Sequence, residues 1–160
     1  MLSFVIRPMI RRQIAQLNAG DHQPLLKMAA PDAELRFPGD NSWSRAFRAP
    51  GTGTAYTATH RGPAELAAFA QRFVDHGLHI DIEDILVAGP PWKTRICVRA
   101  TDHALDDDGR QVYANRVAIL IEARWGRITR WEDYLDTERV SAWDRLVGAG
   151  ADQPAAAAAS

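Results

Sequence analysis

The sequence has one cysteine, Cys97. That excludes an internal disulfide framework and any zinc site built from several thiolates. It also lacks an excess of either charge, with 19 Lys and Arg against 20 Asp and Glu and a formal charge of −1. Phosphate binding generally needs a clustered basic surplus, so no nucleic-acid partner is expected. No apolar run approaches the roughly 18 residues of a membrane span. The opening residues 1–6 are too short for a signal-peptide core, and the basic residues follow them rather than precede them. The expectation is a cytoplasmic location with no membrane contact. There is no Gly-x-Ser-x-Gly elbow, and Gly51-Thr-Gly53-Thr54 lacks the lysine of a phosphate loop. His76 and His79 have metal-like spacing, but Gly77 should break a helix between them. Asp106-Asp-Asp-Gly109 fails the calcium-loop template, whose first and last ligand positions would fall on Ala104 and Asn115. No metal and no organic cofactor is expected.

What the chain does have is 160 residues, 46% of them hydrophobic, enough for one domain with a sizeable core. Residues 1–147 read as that domain, and 148–160, with five consecutive alanines, as a disordered tail. Ile10, Ile14 and Leu17 at helical spacing predict a helix over 9–19, with Pro8 in its first turn. Asp21 then caps a short helix carrying Leu25, Leu26 and Met28, which Pro31 stops. A strand covers 34–37. Residues 39–61 form a long irregular stretch holding Trp43, Phe47 and Tyr56, aromatics that a solvated linker would not need; it reads as a flap. Pro63 opens a helix with Leu66, Phe69 and Phe73 on one face and Gly77 as its stop. Strands follow over 78–88, 92–102, 111–123 and 127–136, then a helix over 138–147. The fold class is therefore α+β, a curved antiparallel sheet wrapped around N-terminal helices as a cone-shaped barrel, able to enclose a pocket.

Strand alternation locates the candidate chemistry. Thr129, Trp131, Asp133 and Leu135 share one face, the more apolar one. On the preceding strand Tyr113, Val117, Ile119 and Ile121 share a face with Asn115. A carboxylate and an amide on apolar faces of neighbouring strands make a small-molecule site. Desolvation raises the pKa of Asp133 and a nearby arginine lowers it; a neutral acid donates a proton and an ionised one accepts it. The alternative is a structural Asp133 paired with Arg95 or Arg99. Periodicity puts Ile96, Val98 and Ala100 in the core, opposite Arg95, Cys97 and Arg99. If the arginines face the pocket instead, the apolar set is left for a dimer contact. Cys97, with no evident His partner, reads as a packing residue rather than a nucleophile.

Leu17-Asn-Ala-Gly-Asp21, Arg61-Gly62 before a helix, and Gly126-Arg-Ile-Thr-Arg-Trp-Glu-Asp-Tyr-Leu-Asp136 resemble the nuclear transport factor 2-like superfamily over residues 8–146. That superfamily has a SnoaL-like branch that includes polyketide cyclases, with ketosteroid isomerases and limonene-1,2-epoxide hydrolases as relatives, and the last-strand motif resembles the epoxide hydrolase version. The resemblance implies a cone-shaped α+β fold and pairing into a homodimer through the sheet. It also implies an Asp-Arg-Asp set, helped by a Tyr and an Asn that orient water. Asp133 matches one carboxylate of that set and Arg95 the arginine. The second carboxylate falls at Cys97, and the Tyr and Asn positions fall near Leu35 and Phe37; Asp102, Asn115 or Tyr56 are the candidate replacements. The resulting expectation is an acid–base enzyme for an apolar oxygenated molecule, opening an epoxide, isomerising or cyclising it. Asp133 is its acid or base and Arg95 tunes it. Asn115, Trp131, Trp43, Tyr56, Leu35, Phe37, Val117 and Leu135 line or cover the pocket. The rival expectation is a non-catalytic ligand-binding or dimerisation domain.

Overall fold

The computed structural model describes residues 2–39, 41–45 and 57–151. Its first helix, α1 (Leu2–Asn18), starts seven residues before the expected one, with Pro8 inside it rather than in its first turn. Ile6 explains the difference: it continues the stripe of Ile10, Ile14 and Leu17, and all four are buried. That burial offsets the backbone hydrogen bond that Pro8 cannot donate. The Asn18 side chain then exchanges two hydrogen bonds with Ile80, each 2.9 Å, which ties the end of α1 to the sheet. The short α2 (Gln23–Lys27) starts where Asp21 accepts the Gln23 N–H at 3.1 Å.

Six strands form one sheet in the order β2-β1-β6-β5-β4-β3. They are β1 (Ala29–Pro38), β2 (Thr57–Arg61), β3 (Leu78–Ala88), β4 (Thr94–Leu105), β5 (Gln111–Arg124) and β6 (Arg127–Leu135). All neighbouring pairs are antiparallel except β1 with β6, which is parallel. The sheet curves without closing, so the expected barrel is an open sheet with β2 and β3 at its edges. The stretch expected to be irregular over 39–61 contains β2 and a helical turn, α3 (Ser42–Arg45). Phe47 and Tyr56 lie outside the described residues.

Period-2 alternation and register define an inner face. Leu35 pairs with Trp131, Ile121 with Trp131, Ile119 with Asp133, and Val98 with Ile119. Val98 and Ile121 have no solvent exposure, whereas Arg95 and Arg99 on the other face of β4 are exposed. An extra residue between Ile82 and Asp84 shifts the register of β3. Ile82 therefore faces in with Ala100 and Ile85 faces in with Val98, and the strand bends. At the β5–β6 turn, Trp125 and Gly126 both have positive φ, 51° and 79°, as a two-residue type I′ hairpin requires.

Helices α1 and α4 (Gly62–Asp75) pack on β3 and β1, and α5 (Thr137–Ala151) packs on β5. The helix α5 runs past the expected end at 147, and residues 152–160 lie outside the described residues. No helix among the described residues is long and apolar enough to cross a membrane.

One polar cluster joins α3, α4 and α5. Asp144 accepts the Ser42 N–H at 2.8 Å and the Ser42 hydroxyl. Arg72 donates to the Ser42 carbonyl at 3.0 Å and to its hydroxyl oxygen, and its guanidinium lies 4.5 Å from the centre of the Trp43 ring. Trp43 in turn stacks on Trp143 at 5.9 Å. Asp144→Ala removes the acceptor of both Ser42 donors and the carboxylate beside the half-buried Arg72. It should lower unfolding free energy by about 1–3 kcal/mol, read as a lower urea midpoint; an unchanged midpoint would show that α3 does not depend on this cluster.

Candidate functional site

Between the inner sheet face and the helices lies a cavity of about 90 Å³. That is the order of size at which an apolar protein cavity holds one small aromatic ring. Its walls are almost wholly apolar: Leu17, Leu35, Phe37, Trp43, Phe69, Phe73, Ile80, Ile119, Trp131, Leu135 and Trp143 are among them. Four lining residues carry oxygen in their side chains: Glu34, Asp102, Tyr113 and Asp133. Glu34 is engaged by Arg36 at 2.9 Å and Arg61 at 2.8 Å. The other three reach the cavity by strand parity. Asp102 continues the inward series Ile96, Val98 and Ala100; Tyr113 shares a face with Val117 and Ile119; Asp133 follows Trp131.

Asp133 accepts a hydrogen bond from the indole Nε1–H of Trp131 at 2.7 Å. It lines the cavity, and burial pushes its carboxyl up to about 7. The Trp131 bond opposes that shift and the neighbouring charge of Glu132 adds to it. Asp102 is buried, and its Oδ1 has no hydrogen-bond partner. Burial first, then the charges of Asp133 and Asp81, raise it well above the usual carboxylate range, which favours its protonated form. Tyr113 is pushed up to about 12, chiefly by burial, and stays a phenol.

Asn115 is also buried, and it acts through Tyr113. Its Nδ2 donates to the Tyr113 oxygen at 3.0 Å and to the Asp136 carbonyl at 2.8 Å. The Tyr113 oxygen thus accepts from Asn115, which leaves the phenolic proton to donate elsewhere. Asn115 pairs directly across the sheet with Asp102, and Asn115 Oδ1 is likewise without a partner. A proton on Asp102 turns one of these two unpartnered acceptors into a donor and reduces the cost of burying both.

The expected site residues divide clearly. Trp131, Trp43, Leu35, Phe37 and Leu135 line the cavity with Asp133. Val117 is buried on the inner face but does not line it. Tyr56 lies outside the described residues. Arg95 is a correction: it is exposed on the outer face, across from Glu122, and cannot hold or tune Asp133. Parity decides this, because Ile96 and Val98 face inward and their neighbours must face out. Arg99 bonds Glu83 at 3.0 Å on that same outer face. No arginine lines the cavity, so the Asp-Arg-Asp set of the epoxide hydrolases is not assembled among the described residues. Cys97 is partly buried on the outer face between Leu86 and Leu120. His76 packs against Trp43 and Trp143, and His79 stacks on His103, so the two do not converge. No group of three or more metal-ligating side chains occurs among the described residues.

Two site residues are absent from the sequence-based set of pocket residues. Asp102 was named only as one candidate replacement for a carboxylate, and Tyr113 only as a member of an apolar face. Both carry the signal that placed Asp133, a polar residue two positions along from buried apolar neighbours. Tyr113 also stacks on Trp143 of α5 at 4.7 Å, a contact that strand parity alone does not announce.

The comparisons with known proteins agree with this geometry. The family model of the SnoaL-like domain matches residues 10–131. No curated protein matches the chain. Among solved structures, a nuclear transport factor 2-like protein of unknown function from Burkholderia pseudomallei is similar, with a TM-score of 0.64 at 18% identity. That alignment covers 86% of this chain and 95% of the other. A candidate polyketide cyclase from Xanthomonas campestris pv. campestris has a TM-score of 0.58 at 20% identity, over 86% of this chain and 94% of the other. One from Pseudomonas putida has a TM-score of 0.57 at 19% identity, over 84% and 94%. The structural likenesses speak for the fold, and the family match spans most of the chain: this protein belongs to the SnoaL-like domain family.

Proposed function

We propose that this chain is a cofactor-independent acid–base enzyme that enolises a small, apolar carbonyl compound, leading to isomerisation or ring closure. The observation that carries the reading is the pair of carboxyl groups, Asp102 and Asp133, that line one apolar cavity, both raised above the usual carboxylate range by burial. Two carboxyls in one site can divide into an acid that keeps its proton and a base that ionises. Ionised Asp133 takes a proton from the carbon next to the substrate carbonyl. The C–H electron pair forms the enolate, whose oxygen accepts hydrogen bonds from neutral Asp102 and the Tyr113 hydroxyl. Return of the proton to another carbon gives an isomer; attack of the enolate carbon on a second carbonyl of the same molecule closes a ring, and the proton held by Asp133 passes to the alkoxide formed there, which restores the base. Trp131 fixes Asp133 through its indole N–H, and the aromatic walls exclude water. Among the described residues no arginine lines the cavity, which favours this chemistry over epoxide opening.

A cytoplasmic setting fits a chain whose one cysteine needs no oxidising compartment. A homodimer is the assembly we propose, paired through the outer sheet face. Leu86, Cys97 and Leu120 line up there across β3, β4 and β5, and Leu86 is 59% exposed.

Deuterium exchange at the activated carbon of β-tetralone, followed by proton NMR, tests the catalytic reading without knowledge of the natural substrate. Wild-type protein should accelerate exchange, and Asp133→Asn should reduce the acceleration on the order of 10²–10⁴-fold, the usual worth of general acid–base catalysis. The rate should rise with pH through about 7 as Asp133 ionises. Equal exchange by wild type and Asp133→Asn would leave a binding domain with a structural carboxyl. For the assembly, light scattering should give twice the chain mass at micromolar concentration, and Leu86→Lys should restore the monomer; a monomeric wild type would contradict the dimer.

A further inference from the structure

A second, larger space of about 620 Å³ adjoins the cavity. It is lined by Gln23, Leu26 and Lys27 of α2, residues 29–31 of β1, the first turns of α4 and Arg127 of β6. Leu26, Ala29 and Leu66 line both spaces and form the boundary between them. The outer space is thus a vestibule whose inner wall is the outer wall of the cavity.

The two spaces differ in character. The cavity is apolar apart from the carboxyl groups and the phenol. The vestibule's only charged lining residues are Lys27 and Arg127, both cationic and both exposed. Neither has a carboxylate partner among the described residues. The guanidinium of Arg127 gives one N–H to the Lys27 carbonyl at 3.0 Å, which fixes it against the end of α2 and leaves its other donors unused. Pro63, Leu66 and Ala67 bring the N-terminal end of α4 to the same wall, and the helix dipole there has the same sign as the two side chains. The cations line the outer space and the carboxyls line the cavity. An anionic group on a ligand is therefore favoured at the vestibule and disfavoured in the cavity.

We infer that the ligand is amphipathic: a compact apolar ring in the cavity, joined by a short chain to a carboxylate held between Lys27 and Arg127 in the vestibule. This rests on the reading that the cavity is the substrate site, and it adds polarity and direction to that reading. The ring enters first, past Leu26 and Leu66, and the charge stays outside. Glu65 faces the start of α4, where it accepts the Arg61 N–H at 2.6 Å, and Asp32 does not line the vestibule.

The test compares 4-phenylbutanoate with its neutral methyl ester by isothermal titration calorimetry at pH 7.5 and low salt. Wild type should bind the carboxylate more tightly than the ester, and Lys27→Gln with Arg127→Gln should weaken the carboxylate about tenfold, the worth of one charge-assisted contact, while leaving the ester unchanged. Added salt should erode the preference. The same preference should survive in Asp133→Asn, so failure of the catalytic reading and failure of this one are distinguishable. Equal or tighter binding of the ester by wild type, an undiminished preference in the double variant, or no binding of either compound would overturn the inference.

Discussion

A carboxyl on the apolar face of a strand is the constraint around which the site is organised. Asp133 cannot turn outward without taking Trp131 and Leu135 with it, because strand side chains alternate strictly. It therefore remains inside, and the surroundings adjust to it. The indole N–H of Trp131 satisfies one oxygen. The proton equilibrium does the rest, since a neutral carboxylic acid costs far less to bury than a carboxylate. The sign of the coupling to folding follows. With its native pKa raised to about 7, Asp133 favours the folded chain at low pH, and that contribution is lost as pH rises from the unfolded value through about 7. Asp102, raised for the same reason, acts in the same direction. The site is held at a stability cost under the conditions where its base is ionised, a trade common at functional positions.

The remaining architecture shapes the walls of that cavity. The register between β4, β5 and β6 places Asp102, Tyr113 and Asp133 on one concave surface. Trp43 and Trp143 cover it from the helical side, and the Ser42–Arg72–Asp144 cluster locks the two together. His76 packs against both tryptophans. Burial and then the charge of Arg72 pull its pKa down, so it sits there as a neutral ring. A wall of rings contacts a flat substrate broadly and offers it few polar partners. The polar partners that do exist are concentrated at the reacting end.

Much of this was readable in the chain. Alternation identified the inner faces of β5 and β6 and put Asp133 among apolar neighbours, and the helical stripe of α4 matches its buried Leu66, Phe69 and Phe73. The sequence misled where one rule overrode another. Pro8 read as a first-turn residue, yet Ile6 carries the helix past it. Thr57–Arg61 has no alternating apolar residues and forms a strand through backbone pairing with β1 at the sheet edge. The parallel pairing of β1 with β6 is a long-range choice that neither strand records locally. Arg95 came from resemblance to a related catalytic set, while the alternation of its own strand already pointed outward. Asp102 stands in the sequence reading only as one candidate replacement for a missing member of that set, although the alternation that buries Ile96, Val98 and Ala100 extends to it.

The central claim is that Asp102 and Asp133 share one apolar cavity and that burial raises both carboxyls above the ordinary aspartate range. The most direct measurement is a titration of the side-chain carboxyl carbons by NMR, assigned with Asp102→Asn and Asp133→Asn. The account predicts that Asp133 titrates near 7 and that Asp102 titrates well above the ordinary aspartate range. Midpoints for both in the ordinary aspartate range, about 4, would contradict it.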